Sequence, residues 1–394
     1  MNLYYLFKNF IQFGTLEITD ASGKIHLFTG TPAPHIKVTL HDPHFAYRFL
    51  LNPTLTLGES YMNGELTFQK GTLFELLSMG AQNRALQPKK RHYLSSALSY
   101  LLKINSPLKA KKQIHQHYDL NEKLYRLFLD SDMQYSCAYF AHEHDTLETA
   151  QENKKRHIAA KLQLQPGQKV LDIGSGWGGL ALHLAQHYDV TVTGLTLSEE
   201  QLKVSNQRAQ EMGLSDRVRF YLKDYRLEEN QYDRVVSVGM FEHVGAPQHA
   251  VFFNQINRLL TENGLALIHS IGHPQKLGKK DAWFQKYIFP GGDIPALSQA
   301  VKAIEGTGMH VGDIEILRHH YAKTLDAWHE RFQKNRVEIK NLYDERFCKM
   351  WEYYLLASEV GFLYVGMMVF QIQILKNPNM APLTRDYMFR DATT

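Results

Sequence analysis

The sequence predicts an α/β protein: a doubly wound, Rossmann-like parallel sheet preceded by a smaller α+β region. Three observations carry that expectation. Strand and helix patterns alternate regularly from residue 168 onward, the first of those strands runs into a glycine-rich turn, and short alternating polar–apolar runs fill the first 68 residues.

The N-terminal runs come first along the chain. Gly14-Thr-Leu-Glu-Ile-Thr19 and Ile36-Lys-Val-Thr-Leu40 have the period of half-buried strands, with turn residues at 20–23 and 30–34. Helical patterning takes over from about 70 to 160, with a linker expected at 104–112. Two domains follow from this, 1–105 and 113–394. In the second, strands are expected near 168–173, 190–195, 217–222, 232–238 and 264–271, with helices near 177–188, 198–212 and 248–261 between them. Ligands of such sheets sit beyond the carboxyl ends of the strands. Gly174, Thr196, Asp224, Glu242 and His269 fall at those ends.

Composition narrows the class. At 394 residues and 44% hydrophobic content the chain is long enough and apolar enough to bury a core. Cys137 and Cys348 are the only cysteines, which excludes a disulfide framework and fits a reducing cytosol. The N-terminus lacks the basic and apolar regions of a signal peptide. The uncharged run from Val360 to Leu375 is shorter than the ~20 residues of a spanning helix, so a soluble protein is expected. Net charge is only +4, but no acidic residue lies between Glu75 and Asp119, where Arg84, Lys89, Lys90, Arg91, Lys103, Lys109, Lys111 and Lys112 gather. Leu94, Ala97, Leu98, Leu101 and Leu102 recur there at helical spacing. Such a segment either packs its apolar side on the protein or lies on an anionic lipid or nucleic-acid surface.

The glycine turn is Val170-Leu-Asp-Ile-Gly-Ser-Gly-Trp-Gly-Gly-Leu180, spaced D-x-G-x-G-x-G through Asp172, Gly174, Gly176 and Gly178. Turns of this type bring backbone N–H groups to a nucleotide-like ligand at a helix start. A nicotinamide dinucleotide would need a carboxylate about 20 residues on, at the end of the next strand. That strand ends Val192-Thr-Gly-Leu-Thr-Leu-Ser198 without one, and no Gly-Lys-Ser/Thr follows the turn. Dinucleotide and P-loop readings are therefore disfavoured. No Cys/His spacing for zinc and no H-E-x-x-H occur, so no metal is expected. Glu242 and His269, at the ends of neighbouring strands, are the better candidates for chemistry.

Taken together, several motifs resemble the cyclopropane-fatty-acyl-phospholipid synthases and the related mycolic acid cyclopropane synthases. They are His117-Tyr-Asp, Tyr135-Ser-Cys-Ala-Tyr-Phe140, the glycine turn, Gly194-Leu-Thr-Leu-Ser198, Phe241-Glu-His-Val-Gly245, Phe289-Pro-Gly-Gly292 and His320-Tyr-Ala-Lys-Thr-Leu-Asp-Ala-Trp328. The likeness extends through Val369-Phe-Gln-Ile-Gln373 and Pro382-Leu-Thr-Arg-Asp-Tyr387, and back to Leu57-Gly-Glu-Ser-Tyr-Met-Asn-Gly64. Ser175 stands where the family commonly has Cys, and Gln134 where it commonly has Thr.

The resemblance implies a methyltransferase fold that uses S-adenosylmethionine (SAM). By that likeness the cofactor would be held by Tyr135, Ser136, Asp172, Gly174, Gly176, Thr196, Leu197, Gln201, Asp224 and Tyr225, with Asp224 accepting from the adenine. The donor is strong enough to methylate an isolated cis alkene of a phospholipid acyl chain. A carbocation then forms on that chain, and an apolar, aromatic pocket must keep water from it. The family's base is a bound bicarbonate. Its ligands map onto the side chains of Glu242, His269 and Tyr321 and the backbone of Cys137 and Ile271. The likeness also implies a homodimer, no nucleic acid, and a cytoplasmic protein lying on the inner face of the cell membrane, with the basic segment on its anionic surface.

Overall fold

A computed structural model of the chain describes residues 6–87, 122–275 and 280–389. Two compact units emerge. The first comprises 6–87, 280–290 and 325–367, the second 122–275, 291–324 and 368–389.

In the first unit, β1 (Phe13–Thr19), β2 (Ile25–Thr29), β3 (Thr31–Leu40) and β4 (Leu66–Lys70) form a four-stranded sheet in the order β2-β1-β3-β4. The period-two runs explain it: Leu16 and Ile18 of β1 point inward with Ile36, Val38 and Leu40 of β3, while the residues between them face out. Helices Pro53–Met62, Leu73–Leu86 and Glu345–Val360 pack together in this unit. The second of these is started by Thr72, whose side chain accepts from the Glu75 N–H while Glu75 accepts from the Thr72 N–H.

The sequence suggests a division at 1–105 and 113–394. Its junction lies outside the described residues, and the later segment is not one contiguous domain. Residues 280–290 return to the first unit because Trp283, fully buried, lies where Gly58 leaves the helix 53–62 bare; a Cβ on Gly58 would stand 2.3 Å from the indole. Residues 325–367 return through the helix Glu345–Val360. A composition shift marks where one run of sequence ends, not where the chain comes back.

The second unit holds a seven-stranded sheet in the order β10-β11-β9-β8-β5-β6-β7. Its members are β5 (Lys169–Ile173), β6 (Thr191–Thr196), β7 (Val218–Leu222), β8 (Tyr232–Val238), β9 (Leu260–Gly272), β10 (His310–Ile316) and β11 (Met368–Leu375). The strands β5 to β9 are parallel and match the sequence expectation to within a few residues. β11 runs antiparallel to both β9 and β10, so the sheet is not wholly parallel as expected. The run taken as too short to span a membrane contains β11, which is buried along its whole length between two neighbours. Among the described residues no helix is long and apolar enough to cross a membrane.

Helices cover the sheet. One apolar cluster joins it to helices His249–Leu259 and Leu297–Glu305 through Phe252, Phe253, Ile256, Ala300 and Ile304. A second joins it to Leu147–Leu162, Gly179–His187 and Glu199–Glu211 through Ile158, Leu182 and Ala209. The basic segment from Lys89 to Lys112, its apolar repeat and His117 all lie outside the described residues.

Candidate active site

The sheet leaves a cleft beyond the carboxyl ends of β5, β6, β7 and β8, and the glycine turn forms its floor. Gly174 and Gly176 adopt φ of +85° and +53°, a region that favours glycine. The Gly174 and Ser175 N–H groups both donate to the Leu195 carbonyl at 2.9 Å, which ties the turn to β6. A Cβ on Gly176 would meet nothing within 4 Å and would project into open space at the cleft.

Every residue assigned to the cofactor from sequence lines this cleft. At the end of β6, Thr196 Oγ1 donates to Gln201 Oε1 at 2.9 Å, and Ser198 accepts the Gln201 N–H to start the next helix. These bonds hold Gln201 at the rim beside Leu197. Asp172 is buried, and desolvation pushes its carboxyl up to about 7, with the Lys154 ammonium opposing that rise. Asp224 is less free than the sequence suggests. Its Oδ1 accepts from the Arg226 N–H at 3.0 Å and from Arg226 Nε at 2.9 Å, while Oδ2 accepts from Nη2 at 2.6 Å. Tyr225 follows it on the wall, while Tyr135 and Ser136 close the opposite side.

Sequence reasoning missed Lys154, which also lines the cleft. Its ammonium donates to Gln134 Oε1 at 2.6 Å and to Ser136 Oγ at 2.8 Å, and it makes no ion pair among the described residues. Burial pulls its pKa down to about 8, against the pull of Asp130. A buried cation held by two neutral acceptors leaves room for an anion. Lys154 sits on Leu147–Leu162, where Lys155, His157 and Lys161 are also buried, a helix whose polarity conceals its burial.

The residues assigned to the reacting end lie outside the cleft lining, although Met240 and His243 on either side of Glu242 belong to it. Glu242 follows β8 in a short helical turn, and its Oε1 accepts the Ile271 N–H at 2.5 Å. Its Oε2 is buried without a hydrogen-bond partner among the described residues. Desolvation raises this carboxyl to about 7, with the Ile271 N–H opposing. His269 lies two residues before Ile271 on β9 and is fully enclosed; burial, then Lys154, pull it down to about 3, so its ring is neutral.

A buried polar chain sets the tautomer of that ring. Lys161 Nζ, which can only donate, reaches Gln371 Oε1 at 2.7 Å and also Glu315. The Gln371 amide nitrogen must therefore face His269 Nδ1, 3.1 Å away, and donate to it. Nδ1 accepts, so the ring proton resides on Nε2. His157 Nε2 pairs with the same Glu315 at 2.6 Å.

Cys137 and Tyr321 meet through their own segments. The Ala138 N–H donates to Thr324 Oγ1 and the Phe140 N–H to His320 Nδ1, both at 3.0 Å, which fastens the Cys137 loop to the first turn of helix His320–Lys334. Tyr321 is buried in that turn. The Cys137 thiol is fully buried, and desolvation pushes it well above the usual thiol range, which excludes a resting thiolate nucleophile.

Comparison with known proteins shows the family. The mycolic acid cyclopropane synthetase family matches residues 105–372. A cyclopropane-fatty-acyl-phospholipid synthase from Escherichia coli K12 is 40% identical over 337 residues, covering 85% of this chain and 86% of the relative. A probable fatty acid methyltransferase from Pseudomonas putida is 34% identical over 373 residues, 91% of this chain and 93% of its own length. Among solved structures, a mycolic acid cyclopropane synthase crystallised with SAH and CTAB superposes with a TM-score of 0.64 at 32% identity, over 67% of this chain and 98% of that one.

Proposed function

Because the chain belongs to the mycolic acid cyclopropane synthetase family and is a SAM-dependent methyltransferase, we propose that it adds a methylene group across cis double bonds of phospholipid acyl chains, closing a cyclopropane ring. The observation that carries the reading is the buried pairing of Glu242 with Ile271, two residues from a neutral His269, beside a cleft suited to the donor.

The cleft fits SAM by its own features: open space over Gly176, a presented Gln201, and the Lys154 ammonium with no anion of its own. When bound, SAM supplies a methyl group activated by its sulfonium. Lys154 would hold the methionine carboxylate, together with Ser136 and Tyr135. Asp224 would reach the adenine with Arg226 fixing its carboxylate in place.

The reacting end fits bicarbonate in the same sense. Glu242 Oε2 is an unused acceptor for a hydroxyl, and His269 Nε2–H is a donor for an anion. Bicarbonate held there would supply a base. Tyr321 and the Cys137 backbone would add to its ligands. The Ile271 N–H already serves Glu242, so Ile271 acts by orienting that carboxylate rather than by facing the anion. Burial of these groups keeps water from a cationic acyl chain.

The N-terminal region and the basic segment would dock the enzyme on anionic lipid, with residues 1–105 orienting the catalytic part, the assembly being a homodimer at the cytoplasmic face of the membrane. Reversing the charges of Lys89, Lys90 and Arg91 should weaken binding to phosphatidylglycerol vesicles, as should raised salt. Binding unchanged by both would remove that role. The relative named as a fatty acid methyltransferase supports a second reading, in which the reaction stops at a methyl or methylene branch. The test of the whole proposal uses methyl-labelled SAM with vesicles of cis-monounsaturated phospholipid. Label should appear in the acyl chains, fall in carbonate-depleted buffer and return with added bicarbonate. Label found only in soluble amines would overturn the reading.

A further inference from the structure

The first unit has a cavity of its own, walled by Tyr61, Phe68, Phe74, Asp326, Glu352 and Glu359 among others. Two stretches singled out in the sequence meet there, since Tyr61 belongs to Leu57–Gly64 and Asp326 to His320–Trp328. Neither Tyr61 nor Asp326 has a part in the chemistry derived above.

Its carboxylates are not alike. Glu352 is fully engaged: it accepts from the Tyr61 hydroxyl at 2.8 Å, from Gln333 at 2.8 Å and from Arg336 at 3.0 Å. Its carboxyl lies below the ordinary range, since His329, which also lines the cavity, Tyr61 and Arg336 outweigh its burial. Glu359 is only 8% exposed, lines the cavity, and makes no hydrogen bond or ion pair among the described residues. Burial, and then Asp326, push its carboxyl up to about 8. Asp326, an exposed residue of the same lining, is likewise without a hydrogen bond or ion pair among the described residues, and partial desolvation raises its carboxyl. A carboxyl raised in this way is held as the neutral acid in the empty cavity, and a cation entering from outside would stabilise its ionised form.

The lining selects which cation. A metal ion needs several ligand atoms converging on one point. Among the described residues His, Cys, Asp and Glu converge in this way only at Glu152, His183 and His187, in the other unit. The cavity instead combines separated carboxylates with the rings of Tyr61, Phe68 and Phe74, and aromatic faces attract organic cations. The Tyr61 ring already carries Lys349 Nζ at 5.8 Å from its centroid.

We propose that this cavity binds an organic ammonium group, with Glu359 and Asp326 as its counter-charges and the three rings as its walls. The ammonium is that of an ethanolamine-type headgroup or of a free amine. Only the headgroup source rests on the phospholipid reading above.

The test titrates the full-length protein with ethanolamine and with tetramethylammonium, each followed calorimetrically, and measures SAM affinity alongside. Both probes should bind saturably, and Glu359→Gln should weaken them by about tenfold or more with SAM affinity unchanged. Asp326→Asn, at an exposed position with little bearing on folding, should weaken them by a few-fold. A second arm compares rates on ethanolamine- and glycerol-headgroup vesicles carrying the same acyl chains. Loss of an ethanolamine preference in Glu359→Gln assigns the ammonium to lipid, and an unchanged ratio assigns it to a free amine. Absence of saturable binding by either probe, binding within twofold of wild type in both variants, or displacement of the probes by magnesium at equal concentration would overturn the proposal. Ammonium binding that persists while no acyl chain is modified would sink the phospholipid reading and leave this one standing.

Discussion

The cofactor cleft and the reacting end lie side by side on one sheet but are built on opposite principles. The cleft is open and made of local sequence: a turn after β5, a cap after β6, a loop after β7. The reacting end is sealed and made of distant parts, with Glu242, Ile271, His269, Gln371 and Lys161 brought together by the register of β9 against β11 and by a helix 100 or so residues earlier. The cleft can gain or lose a hydrogen bond to water at little cost. The sealed end is buried, so each unpaired polar atom there is costly unless the reaction uses it.

Substitutions at the two ends should therefore separate binding from turnover. The largest effect is expected from His269→Ala, which removes the Nε2–H donor: turnover should fall by on the order of 10²- to 10³-fold while SAM binding stays near wild type. A matching loss of SAM affinity would erase the distinction between the two ends. Lys154→Met should do the reverse, weakening SAM by about 10- to 100-fold, the worth of a charge-assisted contact, with a smaller change in turnover at saturating donor. An unaltered dissociation constant by calorimetry would mean that the ammonium serves only Gln134 and Ser136.

Gln371→Leu tests whether the sealed end is ordered through its tautomer. Without the amide, His269 Nδ1 loses its donor and the ring can carry its proton on either nitrogen. Turnover should drop roughly 10- to 100-fold, as it does for outer partners of ligating histidines. The ring's nitrogen-15 shifts should move toward the other tautomer, a signature that simple loosening would not give. Cys137→Ser should have the smallest effect, within about fivefold, because the thiol contributes only a buried contact worth about 1 kcal/mol. A folded, SAM-binding Cys137→Ser protein without activity would restore the thiol to the chemistry.

The same contrast explains what the sequence revealed. Strands β5 to β9 were legible because each is a short apolar run closed by turn residues, and the cleft-lining residues at their ends because they follow those runs directly. β10 and β11 were not, since an antiparallel strand inserted between β9 and β10 leaves no local mark that distinguishes it from a buried helix. Lys154 was hidden for a different reason: a lysine on a polar helix reads as exposed until the packing is known. Motif resemblance pointed to Glu242, His269 and Tyr321, but not to the Lys161–Gln371 chain that meets the His269 ring. Nor could it show that Arg226 already grips Asp224. The return of 280–290 and 325–367 to the first unit escaped as well, because the helices involved carry ordinary amphipathic patterns that name no partner.

The central claim is ring closure at an acyl double bond, and mass spectrometry of fatty acid methyl esters tests it most directly. The protein would be incubated with SAM and vesicles of cis-monounsaturated phospholipid, and the esters examined before and after mild catalytic hydrogenation. Ring closure gives an ester heavier by one CH2 that takes up no hydrogen. A product of that mass that does take up hydrogen would mean a methylene branch, and a product heavier by CH2 plus two hydrogens a methyl branch; either would contradict it.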